Sequence, residues 1–98
     1  MKLTTAQVND LFINAEAYVP VGSLWLHYKG GVYCVVGHGF GTDIADMLVH
    51  YRRVGGPDFN AIDEARIVYD RPLNEWVGIG AVLMANTRRF TRLDHFGN

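Results

Sequence analysis

The spacing of apolar positions changes twice along this chain, and each change marks an element. Val8, Leu11, Phe12 and Ala15 recur at helical intervals, so one face of a helix is apolar. Just ahead stands Thr4-Thr5-Ala6-Gln7. In a capping box of this kind the Thr4 side chain accepts from the amide of Gln7, and Gln7 reaches back to the amide of Thr4. Leu3 and Val8 fall at the two staple positions. Pro20 stops any continuation. The pattern predicts a helix over about Thr5–Ala17.

After Gly22 the period becomes two. Leu24, Leu26 and Tyr28 share one strand face; Trp25, His27 and Lys29 share the other. Gly30-Gly31 supplies a turn, and Val32–Val36 returns as a second strand. The run Gly37-His38-Gly39-Phe40-Gly41 is too rich in glycine for regular structure and reads as a loop. Met47–Val54 is a third strand, with Leu48, His50 and Arg52 on one face and Val49, Tyr51 and Arg53 on the other. A helix over Asp43–Arg53 is the rival, because Ile44, Met47, Leu48 and Tyr51 also fit that period. Gly55-Gly56-Pro57-Asp58 is a turn. Asp58–Glu64 is a loop or a single helical turn, Ala65–Tyr69 a fourth strand, and Pro72 opens a helical turn through Glu75. Trp76–Ala85 fits more than one structure, and Arg89–Leu93 reads as a final strand. The expectation is a mainly β (α+β) protein. A small, strongly bent antiparallel sheet or SH3-like barrel carries an N-terminal helix on it or across an open end.

Length and composition narrow this further. The 98 residues fit one domain, residues 1–20 forming a helical extension and 23–93 the β domain. With 9 basic against 10 acidic residues, the net charge of −1 argues against nucleic acid as the partner. Cys34 is the single cysteine, so no intrachain disulfide forms. Within the apolar run Val32–Val36 it reads as a small buried hydrophobe, and a reducing compartment is the simple inference. No run approaches the ~18 apolar residues of a membrane span, and no basic-then-apolar leader stands at the N-terminus. A cytoplasmic location is expected, with no membrane partner.

Four blocks stand in order: "WLHYKGGVYCVVG", "LVHYRR", "YDRPLNEW" and "RRFTRL". Together they resemble the bacterial and phage family catalogued as domain of unknown function 1653, over about Ser23–Leu93. The resemblance implies a compact, mostly β domain, sometimes attached to enzymes of nucleotide or nucleic-acid metabolism. It brings no settled activity. The family usually carries His-Ser-Glu-Thr after its second strand, where this chain has Gly41, Thr42, Asp43 and Ile44. The histidine is therefore absent, although His38 stands nearby. The segment between Val54 and Tyr69 is also longer than the family's usual hairpin.

The candidate ligand-binding residues are Thr42, Asp43, Arg52 and Arg71, edged by Tyr28, Tyr33 and Tyr51. An arginine held beside a turn can clamp a carboxylate or phosphate with two parallel bonds. The same arginines also fit a structural role, pinning loop carbonyls or pairing with Asp43, Asp70 or Glu75. Arg53, Arg88, Arg89 and Arg92, with Phe90, form a basic-aromatic set able to touch a few phosphates. The glycine run matches neither nucleotide fingerprint. The histidines at 27, 38, 50 and 95 lack zinc spacing, so no metal and no cofactor is expected. For hydrolysis, Thr42 or Cys34 would need a base such as His38 oriented by Asp43, and no catalytic residue is assigned. The ranking is a non-catalytic binding module for a small anionic or polar ligand or a peptide, then a self-assembling homodimer, then a nucleic-acid accessory domain, with an enzyme last.

Overall fold

The computed structural model describes residues 2–77, 82–84, 87–88 and 90–93. Helix α1 (Thr5–Tyr18) begins as the capping box requires. Thr4 accepts from the Gln7 amide at 3.1 Å, and the Thr4 amide donates to Gln7 Oε1 at 2.8 Å. Seven strands and two further helices follow among the described residues: β1 (Leu24–His27), β2 (Val32–Gly41), β3 (Asp46–Gly55), α2 (Ala61–Glu64), β4 (Tyr69–Pro72), α3 (Leu73–Val77), β5 (Val82–Met84), β6 (Thr87–Arg88) and β7 (Phe90–Arg92). Five strands make one antiparallel sheet in the order β4-β3-β2-β1-β7, and β5 and β6 pair separately. The fold is mainly β with an N-terminal helix, as the sequence implied. The sheet is not closed into a barrel: β4 and β7 are its two edges among the described residues.

Three expectations are corrected. The glycine run is strand, not loop, because every residue from Gly37 to Gly41 has a partner on β3. The helical rival over Asp43–Arg53 gives way to β3, whose alternating burial places Met47, Val49 and Tyr51 in the core. The fourth strand starts at Tyr69, not Ala65. Asn60 caps α2 by accepting from the amides of Ile62 and Asp63, and this turn consumes the chain up to Ala65. Ile67 and Val68 then stay exposed. Within the ambiguous run Trp76–Ala85, Trp76 ends α3 and Val82–Met84 form β5, while 78–81 and 85 lie outside the described residues.

Two single-residue bulges set the faces of the sheet. Val35 pairs with Tyr51 and Gly37 with His50, leaving Val36 extra on β2; Tyr33 pairs with Arg53 and Val32 with Gly55, leaving Val54 extra on β3. Both extra valines are exposed. A bulge changes which side chains share a face. Tyr33 and Val35 face the core before Val36, and His38 and Phe40 do so after it, opposite Val49 and Met47. The core is then one cluster: Trp25, Val35, Met47, Val49, Tyr51 and Phe90 from the sheet, covered by Ala15 and Val19 of the α1 end and by Leu73 and Trp76 of α3.

Candidate functional site

The inner face of the sheet ends, toward β4 and β7, in a dense set of rings. Tyr51 and Tyr69 are directly opposed on β3 and β4, with centroids 5.6 Å apart and planes stacked. Tyr33 meets Tyr51 edge-on at 5.3 Å and Tyr69 at 6.1 Å. Trp76 stacks on Phe90 at 3.7 Å and is itself 1% exposed. Edge-to-face and offset contacts of this kind add about 0.5–1.5 kcal/mol each to the area they bury. Alternation brings these residues together: Tyr69 and Arg71 face the same side as their partners Tyr51 and Val49.

Two arginines border this aromatic set. Arg71 donates from Nη1 to Glu75 Oε1 at 3.2 Å, and its guanidinium carbon lies 5.8 Å from the Phe90 ring centre. Arg53 faces Tyr33 across β2 and β3, donates from Nε to the Gly55 carbonyl and from Nη2 to the Pro57 carbonyl, and stands 3.8 Å from Glu64. Glu64 in turn accepts from the Tyr69 hydroxyl at 2.9 Å. That bond raises the Tyr69 pKa above its ordinary value, with burial adding to it. Burial raises the Tyr33 pKa as well, against the opposing pull of the Arg53 charge.

Two donors beside Phe90 are left over. Arg71 Nε and Trp76 Nε1 are buried and meet no acceptor among the described residues. Most buried donors are paired, and leaving one unpaired costs about 1–3 kcal/mol. Because Nη1 is held by Glu75, the side of the Arg71 fork that remains is its Nε edge, the edge that suits a carboxylate.

The residues singled out in the sequence do not form one cluster. Arg71, Tyr33 and Tyr51 converge here with Arg53. Thr42 and Asp43 lie exposed in the turn between β2 and β3. Arg52 is six positions along β3 from the Asp46 that closes that turn, about 20 Å at strand rise. It also lies on the opposite face from Arg71: the alternation of β3 was legible, but the core takes the odd-numbered side. Arg52 donates from Nη1 to the Ala65 carbonyl at 2.6 Å, bracing α2. Tyr28 is exposed at the β1–β2 turn, with Lys29 Nζ 5.6 Å from its ring centre. Arg92 faces inward opposite Trp25, in the cross-strand row Arg92–Trp25–Tyr33–Arg53, about 14 Å from Arg53 at three strand spacings. Arg88 lies on β6, and Arg89 and His95 lie outside the described residues.

The sequence points to no site role for Tyr69, Trp76 and Glu64, and puts Phe90 only in the basic-aromatic set with the arginines. Their signal was the pairing of β3 with β4, which placing the fourth strand four residues early concealed. His38 is a structural residue. Its Nε2 donates to the Val19 carbonyl at 2.6 Å, and Nδ1 is 3.8 Å from Glu16. His50 lies on the outer face, bonded through Nδ1 to Asp70, with its ring over Gly37 and Gly39. Thus His38 and His50 cannot meet at one metal, and no group of three ligating side chains exists among the described residues. No helix among them is long and apolar enough to cross a membrane.

Neither the curated proteins nor the solved structures give a match to this chain. A family does: the group described as "Protein of unknown function (DUF1653)" matches residues 23–92, from the residue before β1 to the end of β7. The entire arginine–aromatic face lies within that stretch, whereas α1 lies outside it. Since the match takes in most of the chain, this protein belongs to the DUF1653 family.

Proposed function

We propose that this protein is a non-catalytic binding module whose site is the arginine–aromatic face, and that it takes a carboxylate-bearing small molecule or peptide end. One observation carries the reading: Arg71 Nε and Trp76 Nε1 are buried donors without acceptors among the described residues, beside a face otherwise built of rings. A carboxylate reaching the Nε edge of Arg71 gives that donor an acceptor, while the partly buried Tyr33 and Tyr69 offer apolar walls to the rest of the ligand. Glu75, the more exposed partner of the Arg71 ion pair, is the group that yields room. The single thiol, Cys34, supports a reducing, cytoplasmic setting.

A thermal-shift titration with a panel of N-acetyl amino acids tests this, using the wild type, Arg71→Lys and Arg71→Met. A ligand at a hundred times its dissociation constant stabilises the native state by about 2.7 kcal/mol. The expected result is a shift in the wild type that Arg71→Met abolishes and Arg71→Lys largely loses, because lysine keeps the charge but not the fork. Equal shifts in all three proteins, or none with any probe, would refute the site.

Self-assembly is a second reading. Leu26, Val36 and Val54 stand exposed on or beside the outer face of the sheet, where Cys34 also lies. A dimer joined there would halve in mass when Leu26→Glu is introduced, which size measurement in solution reads directly.

A further inference from the structure

The first turn of α1 leans on the far end of the β2–β3 hairpin and leaves a hollow of about 280 Å³ lined by Lys2, Leu3, Val8, Phe40, Thr42 and Ala45. Its walls follow from features already described. Leu3 and Val8 are the staple residues that fix the chain's entry into the helix. Phe40 faces this side only because the Val36 bulge re-phases the strand. Ala45 closes the four-residue turn in the left-handed region, at φ 52°. Four of the six lining side chains are apolar, Thr42 brings a hydroxyl, and Lys2 brings the one charge.

We infer that this hollow is a binding site for a small organic monocarboxylate with an apolar body. The apolar walls take the body, and the Lys2 ammonium and Thr42 hydroxyl take the carboxylate, so the lining is complementary in charge as well as in polarity. At about 30 Å³ for each water displaced, the space suits a ligand of about ten non-hydrogen atoms, the size of phenylacetate. For so few atoms the dissociation constant is on the order of 0.1–1 mM. The site is separate from the arginine–aromatic face and draws three of its residues from the segment outside the family match, so this chain carries it through its own N-terminal extension.

The test is an NMR titration of the full chain with phenylacetate, following backbone amides. Saturable shifts are expected at Leu3, Val8, Phe40, Thr42 and Ala45. Lys2→Met should weaken binding about fivefold, the limit for an exposed ion pair, and 2-phenylethanol should bind the wild type correspondingly less well. Val8→Phe, which fills the space without touching Lys2, should abolish the shifts in a protein that still gives a folded spectrum. Arg71→Met should leave them intact, which separates failure here from failure of the arginine–aromatic site. Shifts centred on Arg71 and Trp76, no saturation at the hollow up to about ten times the expected dissociation constant, or unchanged affinity in Lys2→Met would each overturn the proposal.

Discussion

Gly56→Ala tests how the two glycine turns of this fold lock together. Gly56 follows the end of β3 at φ +100°, a conformation that L side chains rarely adopt. A Cβ built there would stand 2.4 Å from the Gly30 carbonyl oxygen and 2.9 Å from the Gly31 Cα, both backbone atoms of the β1–β2 turn. Neither can rotate away as a side-chain tip would, so one turn must move. Left-handed strain alone costs about 1–2 kcal/mol. With the collision added, the expected loss is about 3 kcal/mol. Gly22 provides the control: it has φ +92° but nothing within 4 Å of its Cβ direction, so Gly22→Ala should cost about 1 kcal/mol, from strain alone. For a domain of this length, each kcal/mol lowers the melting temperature by about 4–8 °C. Gly56→Ala should therefore melt some 12–24 °C below wild type and Gly22→Ala about 4–8 °C below. Urea titration of both variants checks that the denaturant slope is unchanged, so that the differences report stability. If the two variants melt within about 4 °C of each other, the collision contributes nothing and the proposed locking of the turns is wrong.

Two further outcomes follow from the helix cap and the phenol. Thr4→Ala removes the cap that accepts from the Gln7 amide and should cost about 1 kcal/mol, read by denaturant titration, with Thr4→Ser close to wild type. The Tyr69 hydroxyl donates to Glu64, which holds its pKa above 10.0 in the folded chain, while the unfolded chain titrates near the ordinary value. The unfolded chain therefore sheds this proton first. This stability is fully present below about pH 10 and is lost as pH rises through the folded value. Glu64→Ala should bring the Tyr69 midpoint in ultraviolet titration down toward the ordinary value; an unchanged midpoint would count against the Glu64 bond as its cause.

Local chemistry was easiest to read from the sequence. The Thr4–Gln7 box, Pro20 and the Gly30-Gly31 turn act within a few residues, and each fell where it was expected. The alternation of β3 was visible too, but not which side is the core. That choice depends on Ala15, Val19 and Trp76 arriving from elsewhere in the chain. Gly37–Gly41 was misjudged because propensity counts glycine against a strand, while the pairing with β3 supplies the ladder bonds and His50 covers the bare backbone of Gly37 and Gly39. For the same reason the candidate site was only half legible. Arg71, Tyr33 and Tyr51 share a face through strand pairing, whereas Arg52 differs from them by one step of alternation.

The bulge at Val36 makes the β2–β3 hairpin a matter of parity. His38 holds the end of α1, Phe40 walls the hollow, and the glycines at 37, 39 and 41 lie bare on the outer side, all because one residue is extra. Deleting Val36 would remove only the unpaired residue: Val35 would stay opposite Tyr51, Gly37 opposite His50 and His38 opposite Val49, so His38 and Phe40 would keep the inner face and the strand would lose its bulge alone. Drawing Val36 into the ladder would do the opposite, turning His38 and Phe40 to solvent and the glycines to the helix. Substitutions at this position leave the pairing intact and should be tolerated widely, and so should its loss. For its relatives, a chain one residue shorter between the Tyr33 and His38 positions is thus compatible with the same two faces.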